Sequence, residues 1–430
     1  MGARLFLGLT RFGGEERARG VLRAVAASIV ACAMASSPAL AKSHDAKPHE
    51  RHEKIEASRF HAFIKSLWPE AEAHGVSRQT FDAAFAGVTF DSKIIALTNR
   101  QVELTKPIWD YIAGAVTPAR VAQAKEKLEA YRLWLAKAGR DYGVEPAIVI
   151  GIWGLETDFG GFAGSDNVIR SLATLAYAHY RGDYFKGELI AALQILQEGD
   201  IAAAQMKGSW AGAMGQTQFM PSSFLKYAVD FEGHGRRDIW GSAPDAIGST
   251  ANYLKQQGWR SDEPWGFEVQ LPKDFALTAA DFLGYAPFSA FAERGVTRAD
   301  GGTMPQTGEA ELLMPAGLRG PVFLVTSNFR VIKTYNNSTS YALAVALLGD
   351  RAIGGGQLIA AWPFHDHLLT MAQARDLQTR LKKMGYDVGE IDGKIGETGQ
   401  NALRAFQERS GLTPDGYPTL ALLQRLRKRP

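Results

Sequence analysis

The stretch Pro146-Ala-Ile-Val-Ile-Gly-Ile-Trp-Gly-Leu-Glu156-Thr-Asp-Phe-Gly-Gly161 closes an apolar run with one carboxylate and follows it with glycines. Pro146 suits the first turn of a helix, where its missing N–H costs nothing, so the run predicts a helix directed at Glu156. A carboxyl group placed there loses water, which disfavours its charged form and raises its pKa. That is the condition for a general acid that is still protonated near neutral pH. On this segment alone, a helix-terminal Glu bonded to neighbouring backbone fits as well. Asp158, two positions on, would point away from Glu156 on a continuing helix and reads as structural.

Outward from this run the pattern is mainly helical. Apolar residues recur at helical spacing from 57 to about 143, as in Phe60, Phe63, Ile64 and Trp68. Further helices are predicted over 167–180, 184–198, 244–257 and 341–348. Residues 267–271 and 322–326 read as short strands amid turns. Gly354-Gly-Gly356 marks a boundary, and the polar, histidine-bearing segment 357–369 reads as a linker. Beyond it, residues 370–427 hold helical patterns at 372–384 and 398–410 with Gly-Asp turns, a size normal for a binding module.

With 430 residues the chain is long enough for two or three domains, and 46% hydrophobic with 22% charged residues is an ordinary globular composition. A net charge of +3 is too small to argue for nucleic acid as a partner. Arg4, Arg11, Arg17, Arg19 and Arg23 precede an apolar stretch at 24–35 and then Ala39-Leu-Ala41, the layout of a signal peptide over 1–41. Cleavage there gives a soluble periplasmic protein beginning at Lys42. A second reading takes Ile29-Val-Ala-Cys32 as a lipoprotein box, with Cys32 lipidated and the chain held on the outer membrane. Cys32 is the only cysteine, so neither product carries a disulfide. Residues 42–56 are polar and read as a flexible linker whose histidines are solvated.

Two more segments carry chemistry. Lys207-Gly-Ser-Trp-Ala-Gly-Ala-Met-Gly-Gln-Thr-Gln-Phe-Met-Pro-Ser-Ser-Phe224 sets Ser209, Gln216 and Gln218 beside Phe219 and Met220 among small residues. Neutral polar groups interleaved with aromatic faces suit a sugar, although a tight helix crossing explains the glycines too. Asn328-Phe-Arg-Val-Ile-Lys-Thr-Tyr-Asn-Asn-Ser-Thr-Ser-Tyr341 is read as turn and N-cap chemistry, with Tyr335, Asn336 and Tyr341 able to line a polar cleft.

Together with Asp245-Ala-Ile-Gly-Ser-Thr-Ala-Asn-Tyr253, these segments resemble the membrane-bound lytic transglycosylase B family over residues 57–356. The resemblance implies a mainly α, lysozyme-like α+β catalytic domain that cleaves peptidoglycan glycan strands without consuming water. Glu156 would be the sole acid and base, with Ser209, Gln218, Tyr253, Tyr335, Asn336 and Tyr341 around the sugar. The substrate bond lies between N-acetylmuramic acid and N-acetylglucosamine, and the product carries a 1,6-anhydro end. A hydrolytic muramidase and a silent wall-binding protein are the rival readings; the first would use a second carboxylate and a water.

No cofactor is required by this reading. Members of the family may carry a calcium loop, and Asp230, Glu232 and Asp245, with Gly235 and Asp238, follow that outline here. His234 stands where a carboxylate is expected, and Arg236 and Arg237 add repelling charge. The terminal unit resembles a three-helix peptidoglycan-binding domain, carried by Leu377-Gln-Thr-Arg-Leu-Lys-Lys-Met-Gly-Tyr386, Ile391-Asp-Gly-Lys-Ile-Gly396 and Gly411-Leu-Thr-Pro-Asp-Gly416. Leu377, Leu381, Leu403 and Phe406 are expected to form its core. The expected partners are glycan strands and other cell-wall enzymes, with a membrane involved only through Cys32.

Overall fold

The structure, a computed structural model, describes residues 48–100 and 106–428. The expected signal segment with Cys32, and residues 42–47 of the expected linker, lie outside the described residues. At the centre stands helix Pro146–Thr157, in which every residue from 147 to 157 is buried. It is walled by helices Pro118–Ala130, Arg132–Tyr142, Ala243–Gln256 and, most extensively, Thr339–Ala352. The last crosses it closely because both helices carry glycine at the contact. A Cβ on Gly151 would collide with the Val345 carbonyl, and one on Gly349 with the Ala147 carbonyl.

The two expected strands form the middle of an antiparallel five-stranded sheet, ordered Ala286–Pro287, Glu309–Leu313, Val322–Val325, Gly266–Gln270, Thr297–Arg298. Strand Val322–Val325 is buried on both faces. Phe323 and Val325 join the helical core, while Val322 and Leu324 join a smaller core with Phe267, Phe288 and Phe291. This alternation lets one strand bind sheet and helices together. The architecture is thus mainly α with a small sheet, in the lysozyme-like arrangement expected.

Three local expectations change. Helix Pro48–Ser66 begins inside the segment read as a flexible linker, since helix-compatible residues extend a helix anchored by buried Phe60 and Ile64. The Asn-rich segment, read in part as turn and N-cap chemistry, supplies the cap Ser338, but its first half is helix Ser327–Tyr335, capped by Thr326, with Asn328 fully buried. Its periodicity runs through Phe329, Val331 and Ile332, which outweighs the turn propensity of its Asn and Thr residues.

The third change concerns the terminal domain. Helices Met371–Lys383, Glu397–Arg409 and Leu420–Arg427 close on Leu377, Leu381, Leu403, Phe406 and Leu423, as expected. The domain does not hang on a free tether but docks on the catalytic unit. The Arg404 guanidinium lies 3.7 Å from the centre of the Phe282 ring, and Glu408 accepts from the Ala279 N–H at 2.9 Å. Segment 357–369 lies against the body: Ile359 and Ala360 donate N–H groups to Glu268, and Asp366 pairs with Arg319 at 2.7 Å.

Candidate active site

Glu156 sits in the last turn of its helix and is 4% exposed. Tyr341, 1% exposed, donates its hydroxyl proton to Glu156 Oε1 at 2.8 Å. Tyr341 occupies the first turn of helix Thr339–Ala352, capped by the Ser338 hydroxyl, so the glycine crossing brings this phenol to the acid.

The helix ends at Asp158, whose backbone turns left-handed at φ 52°. That turn carries the second carboxylate outward, half-exposed, onto Arg120 at 3.0 Å. Thr157 donates to the Gln216 carbonyl at 3.0 Å, and the Trp153 indole N–H donates to Gln216 Oε1 at 3.0 Å. These bonds lash the end of the acid helix to the small-residue segment. Gln216, read from sequence as a ligand group, is consumed in that role.

The remaining expected residues fall into two groups. Tyr335 donates to the Thr217 carbonyl at 2.7 Å and Tyr253 to the Thr334 carbonyl at 2.8 Å. Their rings lie 4.8 Å apart and meet Phe219 and Tyr227, giving a wall of aromatic faces beside Asn336, which caps helix Ser327–Tyr335 and is buried. Ser209 and Gln218 shape the segment itself. The Ser209 hydroxyl accepts the Ala213 N–H at 3.0 Å, which leaves its own proton to donate. Gln218, at φ 51°, donates to the Ala163 and Gly215 carbonyls at 3.0 Å each, closing the segment against residues 160–164.

Tyr111, in helix Ile108–Ala115, is a site residue that sequence reasoning missed. Burial, and next the charge of Glu156, push its phenol up to about 12, so it stays protonated at neutral pH within electrostatic reach of Glu156. Nothing in Ile-Trp-Asp-Tyr-Ile marks it locally.

The aspartates among the expected calcium ligands are engaged by backbone amides in this structure. Asp245 Oδ1 accepts the N–H groups of Phe231 and Glu232, and its Oδ2 that of Asp238, at 2.8–2.9 Å. Asp230 accepts three more from Gly233, His234 and Gly235, and Glu232 accepts the Ser242 hydroxyl. The six amides bind the two aspartates from inside the loop, Asp245 buried and Asp230 partly open to solvent. Arg237 ties that loop to Asp200 and Glu198, and among the described residues no cluster of three or more His, Cys, Asp or Glu is placed to hold a metal.

One buried carboxylate bonded by a phenol in a mainly helical, lysozyme-like body fits the class of glycan-cleaving enzymes. Residues 59–350 match the transglycosylase SLT domain and residues 370–426 the putative peptidoglycan binding domain. The chain belongs to the transglycosylase SLT family: it is a lytic murein transglycosylase, a lyase acting on peptidoglycan, joined to a peptidoglycan-binding domain. It is 33% identical over 299 residues to the membrane-bound lytic murein transglycosylase B of Escherichia coli K12, covering 64% of this chain and 78% of that one. The structure of SltB3 from Pseudomonas aeruginosa, in complex with NAG-anhNAM-pentapeptide, is 47% identical with a TM-score of 0.81, covering 86% and 99% of the two chains. That of Escherichia coli Slt35 in complex with calcium is 30% identical with a TM-score of 0.57, covering 69% and 92%.

Proposed function

We propose that Glu156 performs both proton transfers of the lytic reaction, and that the substrate supplies the nucleophile. The Tyr341–Glu156 contact in a nearly closed site is the observation that carries this reading. As an acid, Glu156 protonates the glycosidic oxygen and N-acetylglucosamine departs. As a carboxylate, stabilised by the Tyr341 hydroxyl, it takes the proton of the muramic C6 hydroxyl, whose oxygen attacks C1. The C1–O bond to the leaving sugar breaks, the 1,6-anhydro bond forms, and one proton has passed through Glu156. An intramolecular hydroxyl has a high effective concentration and outruns water in so dry a site.

The outward turn of Asp158 supports a single-carboxylate mechanism over a two-carboxylate hydrolase. Half-buried Tyr253, backed by the buried rings of Tyr335 and Phe219, offers a face to a sugar ring, with Ser209, Gln218 and Asn336 as the polar contacts. Glu156→Gln tests the reading: it should abolish release of products lighter by one water than hydrolytic ones, while the circular dichroism spectrum is kept. Hydrolytic muramic ends from the unaltered chain would favour the muramidase instead.

The enzyme acts on glycan strands in the cell wall, as its terminal domain and its export-type N-terminus suggest, and other cell-wall enzymes are its natural neighbours. Residues 357–369 are the connection between the two domains and residues 42–56 the lead into the first. Among the described residues no helix is long and apolar enough to cross a membrane. Cleavage after Ala41 gives the periplasmic form, and lipidation of Cys32 is the route to an outer-membrane anchor. Intact mass of the mature chain separates the two.

A further inference from the structure

We propose that the docked terminal domain positions the active site: Trp109, buried between the two domains, holds helix Ile108–Ala115 against helix Thr339–Ala352, which carries Tyr341, and by way of Arg120 against the end of the helix that carries Glu156. The inference rests on Glu156 being the acid, and it makes the peptidoglycan-binding domain a part of the catalytic architecture as well as a wall anchor.

Helix Ile108–Ala115 has eight residues and starts at Pro107 with no side-chain cap. So short a helix has almost no stability of its own and takes its position from what it touches. Residues two apart on a helix point about 200° from each other, so Trp109 and Tyr111 face opposite ways. Trp109 is 2% exposed and packs on Ala316 and Tyr417, with Ile108, Trp362 and Leu368 around them. Tyr417 belongs to the terminal domain, Trp362 and Leu368 to the connecting segment, and Ala316 to strand Pro315–Leu318. The N-terminal half of the helix is therefore fixed by an interdomain cluster.

The other end is fixed to the acid helix. Arg120 donates to the Ala115 carbonyl at 2.6 Å and, through Nε, to Asp158 at 3.0 Å, two residues beyond Glu156. The buried Ile112 side, meanwhile, packs on helix Thr339–Ala352, which carries Tyr341. One short helix thus links the terminal domain to the two helices that carry the acid pair. A module that acted only as a tether would raise the local concentration of substrate and leave the chemistry of a short, soluble glycan untouched.

The test uses full-length Tyr417→Ala and a soluble tetrasaccharide of alternating N-acetylglucosamine and N-acetylmuramic acid, too short to bridge both domains. The expected result is a fall in kcat of about tenfold or more with KM within about twofold, because misplacement of a site group costs rate before it costs binding. Tyr417→Phe, which keeps the ring, should restore kcat. Trp109→Phe, which leaves a smaller anchor, should give an intermediate kcat and keeps the question open to measurement if Tyr417→Ala does not fold. An unchanged kcat in whichever of Tyr417→Ala and Trp109→Phe folds, or a change confined to KM, overturns the inference. Glu156→Gln is measured alongside: if it stays active, the assignment of the acid fails, whereas an inactive Glu156→Gln beside a fully active Tyr417→Ala defeats only the interdomain proposal.

Discussion

Glu156 and Asp245 are both carboxylates nearly removed from solvent, at 4% and 1% exposure, within the same helical body, yet they are built in opposite ways. Asp245 accepts three backbone N–H groups and sits in the first turn of a helix capped by Ser242. Burial pushes its pKa above the ordinary value while the three amides pull it back. Glu156 ends an apolar helix and receives the hydroxyl of Tyr341, a donor that a side chain supplies and that can move. A carboxylate held by rigid amides is fixed in one state and organises backbone; one held by a phenol is able to give up and take back a proton. On the proposed reading of Glu156, the difference separates a structural acid from a chemical one better than burial does.

Two substitutions break the comparison at its extremes. Glu156→Gln should lower the rate of anhydro-product formation by a factor of about 10³ or more, since it removes acid and base together, with little change in melting temperature. Asp245→Ala should do the reverse. It strands three buried N–H groups and costs about 3 kcal/mol or more in urea unfolding, while the rate per folded molecule is kept. Calcium or a chelator should leave the melting temperature of the unaltered protein where it is, because the loop already satisfies its carboxylates with amides. A calcium-dependent rise would show that the loop rearranges around the cation.

Tyr341→Phe sharpens the comparison rather than breaking it. The lost hydroxyl stabilises the ionised acid, so its removal disfavours the carboxylate. The rate should fall about tenfold, the scale of one charge-assisted hydrogen bond, and the alkaline limb of the pH–rate profile should move to higher pH. An unshifted limb would mean that Tyr341 only fills space.

The parts of this site that were legible in the sequence are the local ones. Pro146, the apolar run and the glycines announce the acid helix, and helix Tyr184–Glu198 follows its periodicity to both ends. What was not legible depends on contacts between distant residues. Tyr341 and Glu156 are 185 positions apart, and only resemblance to a family linked them. Tyr111 feels the charge of Glu156, a relation that leaves no trace in its own segment. Asp230, Glu232 and Asp245 have the spacing of cation ligands, but carboxylates at that spacing serve amides equally well, and the backbone conformation decides between them. The segment 357–369 looked like a spacer because its histidines mask Trp362 and Leu368, whose partial burial needs Trp109 and Ala316 of one domain and Tyr417 of the other.

The smallest expected effect concerns a third kind of buried acid. Asp350 and Glu145 line a cavity of about 770 Å³ at the end of the acid helix remote from Glu156, together with Glu268, Asp300 and Arg298. Burial pushes Asp350 up to about 6, against the Trp265 indole N–H that bonds it, and Glu145 up to about 7. Both values are raised from ordinary ones of 3.8 and 4.5, so the folded state holds these protons more tightly than the unfolded chain does. Their stabilising contribution is complete below about pH 4 and is lost as pH rises through 6 and 7. Asp350→Asn should therefore flatten this part of the stability curve and raise stability at pH 8 by on the order of 1–2 kcal/mol in urea unfolding, leaving kcat unchanged. A loss of stability at pH 8 would instead show that the ionised Asp350 is compensated by the nearby Arg298, and would move it into the class of Asp245, the acids whose charge the fold has already matched.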